Sequence, residues 1–337
     1  MADVTDSAFR FIIAKHSKIT PQNSKVPGAP WDYITYTEFV SADGLVLAPE
    51  EGRKKLLKDL EYTEIERPIV AQFFTSRPEN MEKVARLALE LGFDGVDINM
   101  GCPDKSIEKQ GAGAGLIKTP QLARELIRAA KNGTEGKIPV SVKTRLGYNK
   151  DELEEWLPEL LAESPAAITI HARTRKEMSK VPARWERVTR AVEIRNEIQN
   201  STPNPLLLVR GGGEGGGVEN QTLILGNGDL EDVNDALQKC QETGADGAML
   251  GRAIFGNPWL FSPMSDMGLK ERLGVLKEHI ELFDKNLGDT KNFSVMKKHF
   301  KAYLAGFEGI HDLKNKLMES NSAQEAVDAI NLYLSTL

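Results

Sequence analysis

Six successive strand-like runs end in residues able to do chemistry. Gln72 closes "PIVAQ", Asn99 and Cys102 close "GVDINMGC", Lys143 closes "IPVSVK", and His171 with Arg173 closes "AAITIHAR". Asn227-Gly228-Asp229 ends "LILGNGD", and Gly251-Arg252 ends "GAMLGR". Apolar strands stop most readily in turn residues, so polar side chains repeated at one end of every strand point to a site built there. Cys102 is the sharpest member. It is one of two cysteines, set between Gly101 and Pro103 just past a strand, whereas a thiol kept for packing belongs inside a strand or on a helix. The last two ends have the make-up of a phosphate grip, with glycines for close backbone approach and a guanidinium for charge. A lysine at a strand end beside such a grip also admits Schiff-base chemistry of the aldolase kind, through Lys143. The run "RGGGEGGG" (210–217) mimics a phosphate loop but lacks the Lys-Ser/Thr of one and the spacing of a dinucleotide turn. It is expected to be an insertion without a ligand.

The elements that would position these residues alternate. Strand-like runs at 33–39, 68–74, 95–100, 138–143, 166–171, 222–228 and 247–251 are separated by amphipathic segments such as "ENMEKVARLALELG" and "LEDVNDALQKCQETG", several closing on a helix-ending Gly. Apolar strands separated by single helices imply a parallel sheet covered by helices. A (β/α)₈ TIM barrel is the economical architecture, a doubly wound open sheet the alternative. After "GNPWLF" the strands cease, and residues from about 268 onward predict three or four amphipathic helices. Residues 1–261 are thus expected to form the barrel and 262–337 a small all-helical domain.

Composition narrows the partners. Two cysteines exclude a disulfide framework, and no run is apolar for the length a membrane span needs. The N-terminus lacks a basic-then-apolar signal, so a cytoplasmic protein is expected. No metal is called for. The net charge of −6 disfavours a general polyanion binder, yet 171–195 holds eight Lys/Arg against three Asp/Glu, and 291–316 six against two. Within the second stretch, Lys297, Lys298 and Lys301 should project outward while Met296, Phe300, Tyr303 and Leu304 face a core.

These residues also carry a resemblance. "ADVTDSAFR", "DINMGCPDKSIEKQGAGAGLI", "VSVKTRLG", "ITIHARTR", "GNGDLED" and "GADGAMLGRAIFGNPWLF" are similar, in order and spacing, to the signature blocks of the tRNA-dihydrouridine synthases. The tail "MKKHFKAYLAGFEGIHDLKNKL" resembles that family's helical tRNA-binding domain. The resemblance implies FMN in a barrel mouth, NADPH as its reductant, and a tRNA uridine reduced at C5–C6. It implies that Gln72, Lys143 and His171 contact the flavin and that Asn227, Gly228, Asp229, Gly251 and Arg252 hold its phosphate end. Asn99 and Arg173 would face the substrate, Lys297, Lys298 and Lys301 would hold the tRNA backbone, and Cys102 would protonate the base. Rival expectations are an FMN barrel acting on a free pyrimidine, resembling the dihydroorotate dehydrogenases, and a non-catalytic tRNA-binding relative that has lost flavin. The chain departs from the family in three places. The apolar first strand ending in Ala-Pro-Met is absent, which predicts either a true start that lies upstream or an imperfectly closed barrel, with the spare run "NPLLLV" as the candidate filler. That run and the Gly-rich linker are extra, and Ser179 stands where many relatives carry an aromatic residue.

Overall fold

The apolar runs become strands with nearly the expected bounds. The computed structural model describes residues 4–17, 33–201, 221–262 and 267–336. In chain order it holds α1 (Ser7–His16), β1 (Thr35–Ser41), β2 (Ile69–Phe74), α2 (Pro78–Glu90), β3 (Gly95–Asn99), α3 (Pro120–Thr134), β4 (Val140–Arg145) and α4 (Leu153–Leu161). There follow β5 (Ala167–His171), α5 (Trp185–Ser201), β6 (Leu223–Asn227), α6 (Val233–Thr243) and β7 (Gly247–Met249). The chain then becomes helical, with α7 (Leu269–Leu287), α8 (Met296–Tyr303), α9 (His311–Glu319) and α10 (Ala323–Leu334). The strand order is sequential, β1 through β7. That order decides between the two architectures: a doubly wound sheet reverses its strand order midway, whereas barrel winding adds each strand beside the last. The barrel type holds, with seven strands among the described residues.

Two compact units are distinguished, one of residues 41–46 and 72–251, the other of 1–40, 47–71 and 252–337. In the first, β3 to β7 pair in parallel, with registers that include Asn99↔Lys143, Arg145↔His171 and His171↔Asn227. These registers align the ends of β3 to β6, which is how residues far apart in sequence come to share one rim. Val96, Ile98, Val142, Ile168, Ile170 and Ile224 are buried, and the connecting helices supply the cover that parallel strands require. Helix starts and stops follow their local chemistry. Pro78 and Pro120 open α2 and α3, where the missing N–H matters least. Asp232 caps α6 by accepting from Asp235 N–H, and Gly244 ends it in the left-handed region.

In the second unit, Asp6 caps α1 and accepts from Phe9 N–H at 2.9 Å. Phe9 and Ile12 are buried, as are Leu276, Ile280 and Phe283 of α7. Met296, Phe300, Tyr303 and Leu304 are buried as the spacing predicts. His299 joins them, its ring 4.7 Å from that of Phe9 and 4.6 Å from that of His279. Burial holds both histidines well below the ordinary imidazole range. No helix among the described residues is long and apolar enough to cross a membrane. The polar loop 21–32, the spare run 204–209 and the Gly-rich run 210–217 lie outside the described residues.

Candidate active site

Cys102 sits in a turn fixed from both sides. The Asn99 side-chain oxygen accepts from Gly101 N–H at 3.2 Å and from Cys102 N–H at 2.9 Å. The Cys102 carbonyl accepts from Ala114 N–H at 2.9 Å. Gly113 makes this closure possible: its φ is +59°, and a Cβ there would lie 2.7 Å from the Cys102 carbonyl oxygen and 2.9 Å from an Ile107 methyl. The thiol is half-buried, and burial pushes it above the ordinary range of a free cysteine. The Arg145 guanidinium opposes that rise.

Arg145 was not anticipated, although it stands two residues beyond Lys143 and so on the same face of β4. Its Nε donates to the Gly101 carbonyl at 2.7 Å, and its Nη1 to the carbonyls of Thr174 and Met178. It thereby ties the Cys102 turn to the segment after β5. Burial lowers Arg145 to about 10. Lys143 donates to the Asn227 side-chain oxygen at 3.2 Å, and burial, with Arg145 adding, brings it down to about 8. His171 is held far below its usual range, first by burial and then by Lys143, Arg145 and Arg173. It is neutral, and its Nε2 lies 3.0 Å from Arg173 Nη1, so Nε2 accepts and the proton resides on Nδ1.

The site residues do not all present themselves to a ligand. Arg173 is buried and paired with Asp229, whose carboxylate also accepts from Ala183 N–H at 2.8 Å. Asn227 spends its amide between Lys143 and the Met249 carbonyl, the latter at 2.7 Å. Gly228 is a crowded position. At φ +127° a Cβ would meet Ala183 at 2.8 Å and the His171 ring at 3.3 Å, so only glycine lets the chain turn here. Gln72 and Asn99 are joined at 3.2 Å. Gly251 follows β7, and Arg252 opens the helical turn Arg252–Ile254 in the other unit. Among the described residues no three His, Cys, Asp or Glu side chains converge as a metal site.

The two basic stretches part company. In 171–195 the guanidinium groups are matched by acids: Arg175 with Glu108, Arg184 with Glu177 and Asp151, Arg187 with Asp151, Arg190 with Glu154, and Arg195 with Asp246. In 291–316, Lys291 is held by Glu38 and Asp59, but Lys298 and Lys301 are exposed and Lys297 half-exposed.

The family model described as dihydrouridine synthase matches residues 1–200 and 218–336. The chain belongs to the dihydrouridine synthase family. Within that family it is 37% identical, over 96% of this chain and 89% of the relative, to a protein named a probable tRNA-dihydrouridine synthase 2 in Bacillus subtilis (strain 168). It is 34% identical, over 99% of this chain and 91% of the relative, to a probable tRNA-dihydrouridine synthase of Staphylococcus epidermidis. A Staphylococcus aureus protein of the same name is 35% identical over 97% of this chain. The dihydrouridine synthase model passes over 201–217, the segment that holds the Gly-rich run.

Proposed function

We propose that this chain reduces the C5–C6 double bond of a uridine in tRNA, with FMN held at the strand ends, NADPH as its reductant, and Cys102 as the acid that protonates C5. The observation that carries it is the charge at the rim. Lys143, Arg145 and Arg173 crowd a neutral His171, and two of the three cations are pulled down by burial and by one another. Such a field favours an electron-rich ligand. FMN fits the donor set: Lys143 and Arg145 suit an anionic ring edge, and the neutral His171 and the Gln72 amide can hydrogen-bond ring heteroatoms. Asn227, Asp229, Gly251 and Arg252 complete the proposed cofactor set, with Asp229 acting by holding Arg173.

Bound FMN, once reduced, would supply the hydride that reaches C6 of the uracil. The chain's own residues do the rest. Cys102 gives its proton to C5, the carbon left electron-rich. A thiol raised by burial stays protonated at neutral pH, and Arg145 eases the thiolate that remains. Asn99 holds the turn that aims the thiol, and Arg173, buried and paired with Asp229, would act on the substrate side through the His171 ring it holds. A base inside folded tRNA must be extruded to reach this rim. Residues 1–261 would form the catalytic domain and 262–337 the tRNA-binding one, in a cytoplasmic protein. The purified chain should be yellow with FMN, and with NADPH should form dihydrouridine in unmodified tRNA, scored by mass spectrometry of nucleosides. A colourless chain that binds tRNA without reducing it would establish the non-catalytic reading instead.

The tRNA backbone is assigned to Lys297, Lys298 and Lys301, which lie on one short helix opposite its buried apolar face. Replacing all three lysines by Ala should weaken tRNA binding and leave flavin content unchanged. The log–log salt slope should fall by about 0.7–0.9 per lost phosphate contact. Preference among tRNAs should change little, since phosphate contacts position the ligand and do not read bases. An unchanged affinity and slope, measured by filter binding across salt, would assign the three lysines to a solvated face.

A further inference from the structure

Behind Cys102 a chain of side chains converges on Asp97. Ser141 Oγ donates to Asp97 Oδ1 at 2.6 Å, and Gln72 Nε2 donates to Asp97 Oδ2 at 2.7 Å. Asn99 Nδ2 donates to Gln72 Oε1 at 3.2 Å. Asn99 Oδ1 is thereby turned toward the N–H groups of Gly101 and Cys102. Asp97 is fully buried on β3, two residues before Asn99 and on the same face.

We infer that Asp97 is a positioning residue for the Cys102 proton donor, setting the direction of the Gln72–Asn99 amide relay that holds the Cys102 turn. An amide can present either end, so neither Gln72 nor Asn99 fixes its own orientation. The two termini of the relay do. Backbone N–H groups can only donate, and an ionised carboxylate can only accept. With Asp97 ionised, both amide donors of the relay point away from Cys102, and the Asn99 oxygen is left facing the turn. Without that acceptor, Gln72 loses its charge-assisted anchor, and the Asn99 oxygen is held toward the turn from one end only, by the two N–H groups it accepts from.

The groups facing Asp97 are Ser141 and Lys143 from β4 and Gln72 from β2. Burial raises its carboxyl to about 6, against the hydrogen bonds from Ser141 and Gln72 and the charge of Lys143. Ionised Asp97 therefore prevails above about pH 6, and below it the group becomes a neutral acceptor much like an asparagine.

This inference rests on the role given to Cys102, so the decisive readout needs neither flavin chemistry nor tRNA. In the holoenzyme carrying Cys240→Ser, the rate of Cys102 alkylation by iodoacetamide is measured for Asp97→Ala, Asn99→Ala and the double variant. Asp97→Ala should change that rate about tenfold, and should change it no further once Asn99 is alanine. Additive effects would overturn the relay, because sites without shared partners act independently. Asp97→Asn guards against loss of folding, since its side-chain oxygen can still accept from Gln72. Its alkylation rate should lie between wild type and Asp97→Ala, and its ratio to wild type should be constant above about pH 7 and approach one below about pH 6. A ratio that does not vary with pH would also overturn the inference. If the cycle is non-additive while Cys102→Ala retains full turnover, the relay stands and the proton-donor role falls.

Discussion

Replacing Cys102 by alanine is expected to lower dihydrouridine formation by about 10²–10⁴ while leaving flavin content and tRNA affinity as they were. The side chain is half-buried in a turn whose backbone is held by Asn99, Ala114 and Arg145. None of those bonds uses the sulfur, whose one backbone partner is Asp104 N–H, so removing it should leave the bonds that hold the turn in place. The loss should appear in kcat, because the proton is transferred only as the base is reduced. The pH dependence follows from the sign of the shift. A general acid works while protonated, so the wild-type rate should fall as pH rises through the thiol pKa. Burial moves that limb above the position an exposed cysteine would give. The alanine variant should lack the limb. Cys102→Ser should also lack the limb and be slow at every pH, since a hydroxyl does not titrate in this range and yields its proton far less readily. Cys240→Ala, on α6, should match wild type. Near-normal turnover in Cys102→Ala, measured with reduced enzyme in single-turnover mode, would remove the thiol from the reaction.

The strands and the rim were legible because they depend on local pattern. Apolar alternation that stops at a polar residue marks a strand end whatever packs around it, so Gln72, Asn99, Lys143, His171 and Asn227 could be placed from sequence. Parallel pairing then set them side by side. What stayed hidden depends on partners distant in sequence. Asp97 is an acid within a strand, and only the positions of Ser141 and Gln72 show what it does. Arg145 reads as the first residue of a loop until the Gly101 carbonyl is seen against its Nε. The basic count over 171–195 misled for the same reason. Its arginines lie against Asp151 and Glu154 near α4, and a charge tally along one segment cannot see acids contributed by its neighbour. The tail fared better because its lysines and its apolar residues share one short helix, where spacing alone separates the faces.

Glu66→Ala should destabilise the unit containing α1 by about 3–5 kcal/mol, the usual consequence of leaving one member of a buried ion pair unpartnered. Arg10, in the block "ADVTDSAFR", is the member that would be stranded. Both side chains are 1% exposed, with Arg10 Nε 2.9 Å from Glu66 Oε2. The remaining guanidinium nitrogens donate to the Thr5 carbonyl at 2.8 Å and the Glu61 carbonyl at 2.6 Å. Glu66 in turn accepts from Thr63 N–H and Thr63 Oγ, closing a capping box. Each of the three guanidinium nitrogens is engaged and the group is buried, so water has no ready place to stand in for the carboxylate. The pair is therefore an orienting device more than a source of net stability, because desolvating two charges offsets much of their attraction. That distinction is measurable. Arg10→Met combined with Glu66→Leu removes both charges and refills the space, and should be less destabilised than Glu66→Ala alone. Urea unfolding followed by circular dichroism gives the energies, and hydrogen exchange at the α1 amides locates them. A loss below about 1 kcal/mol in Glu66→Ala would mean that Arg10 regains its solvation. In that case α1 is held chiefly by the apolar contacts of Phe9 and Ile12, and the charged residues of the block are free to vary.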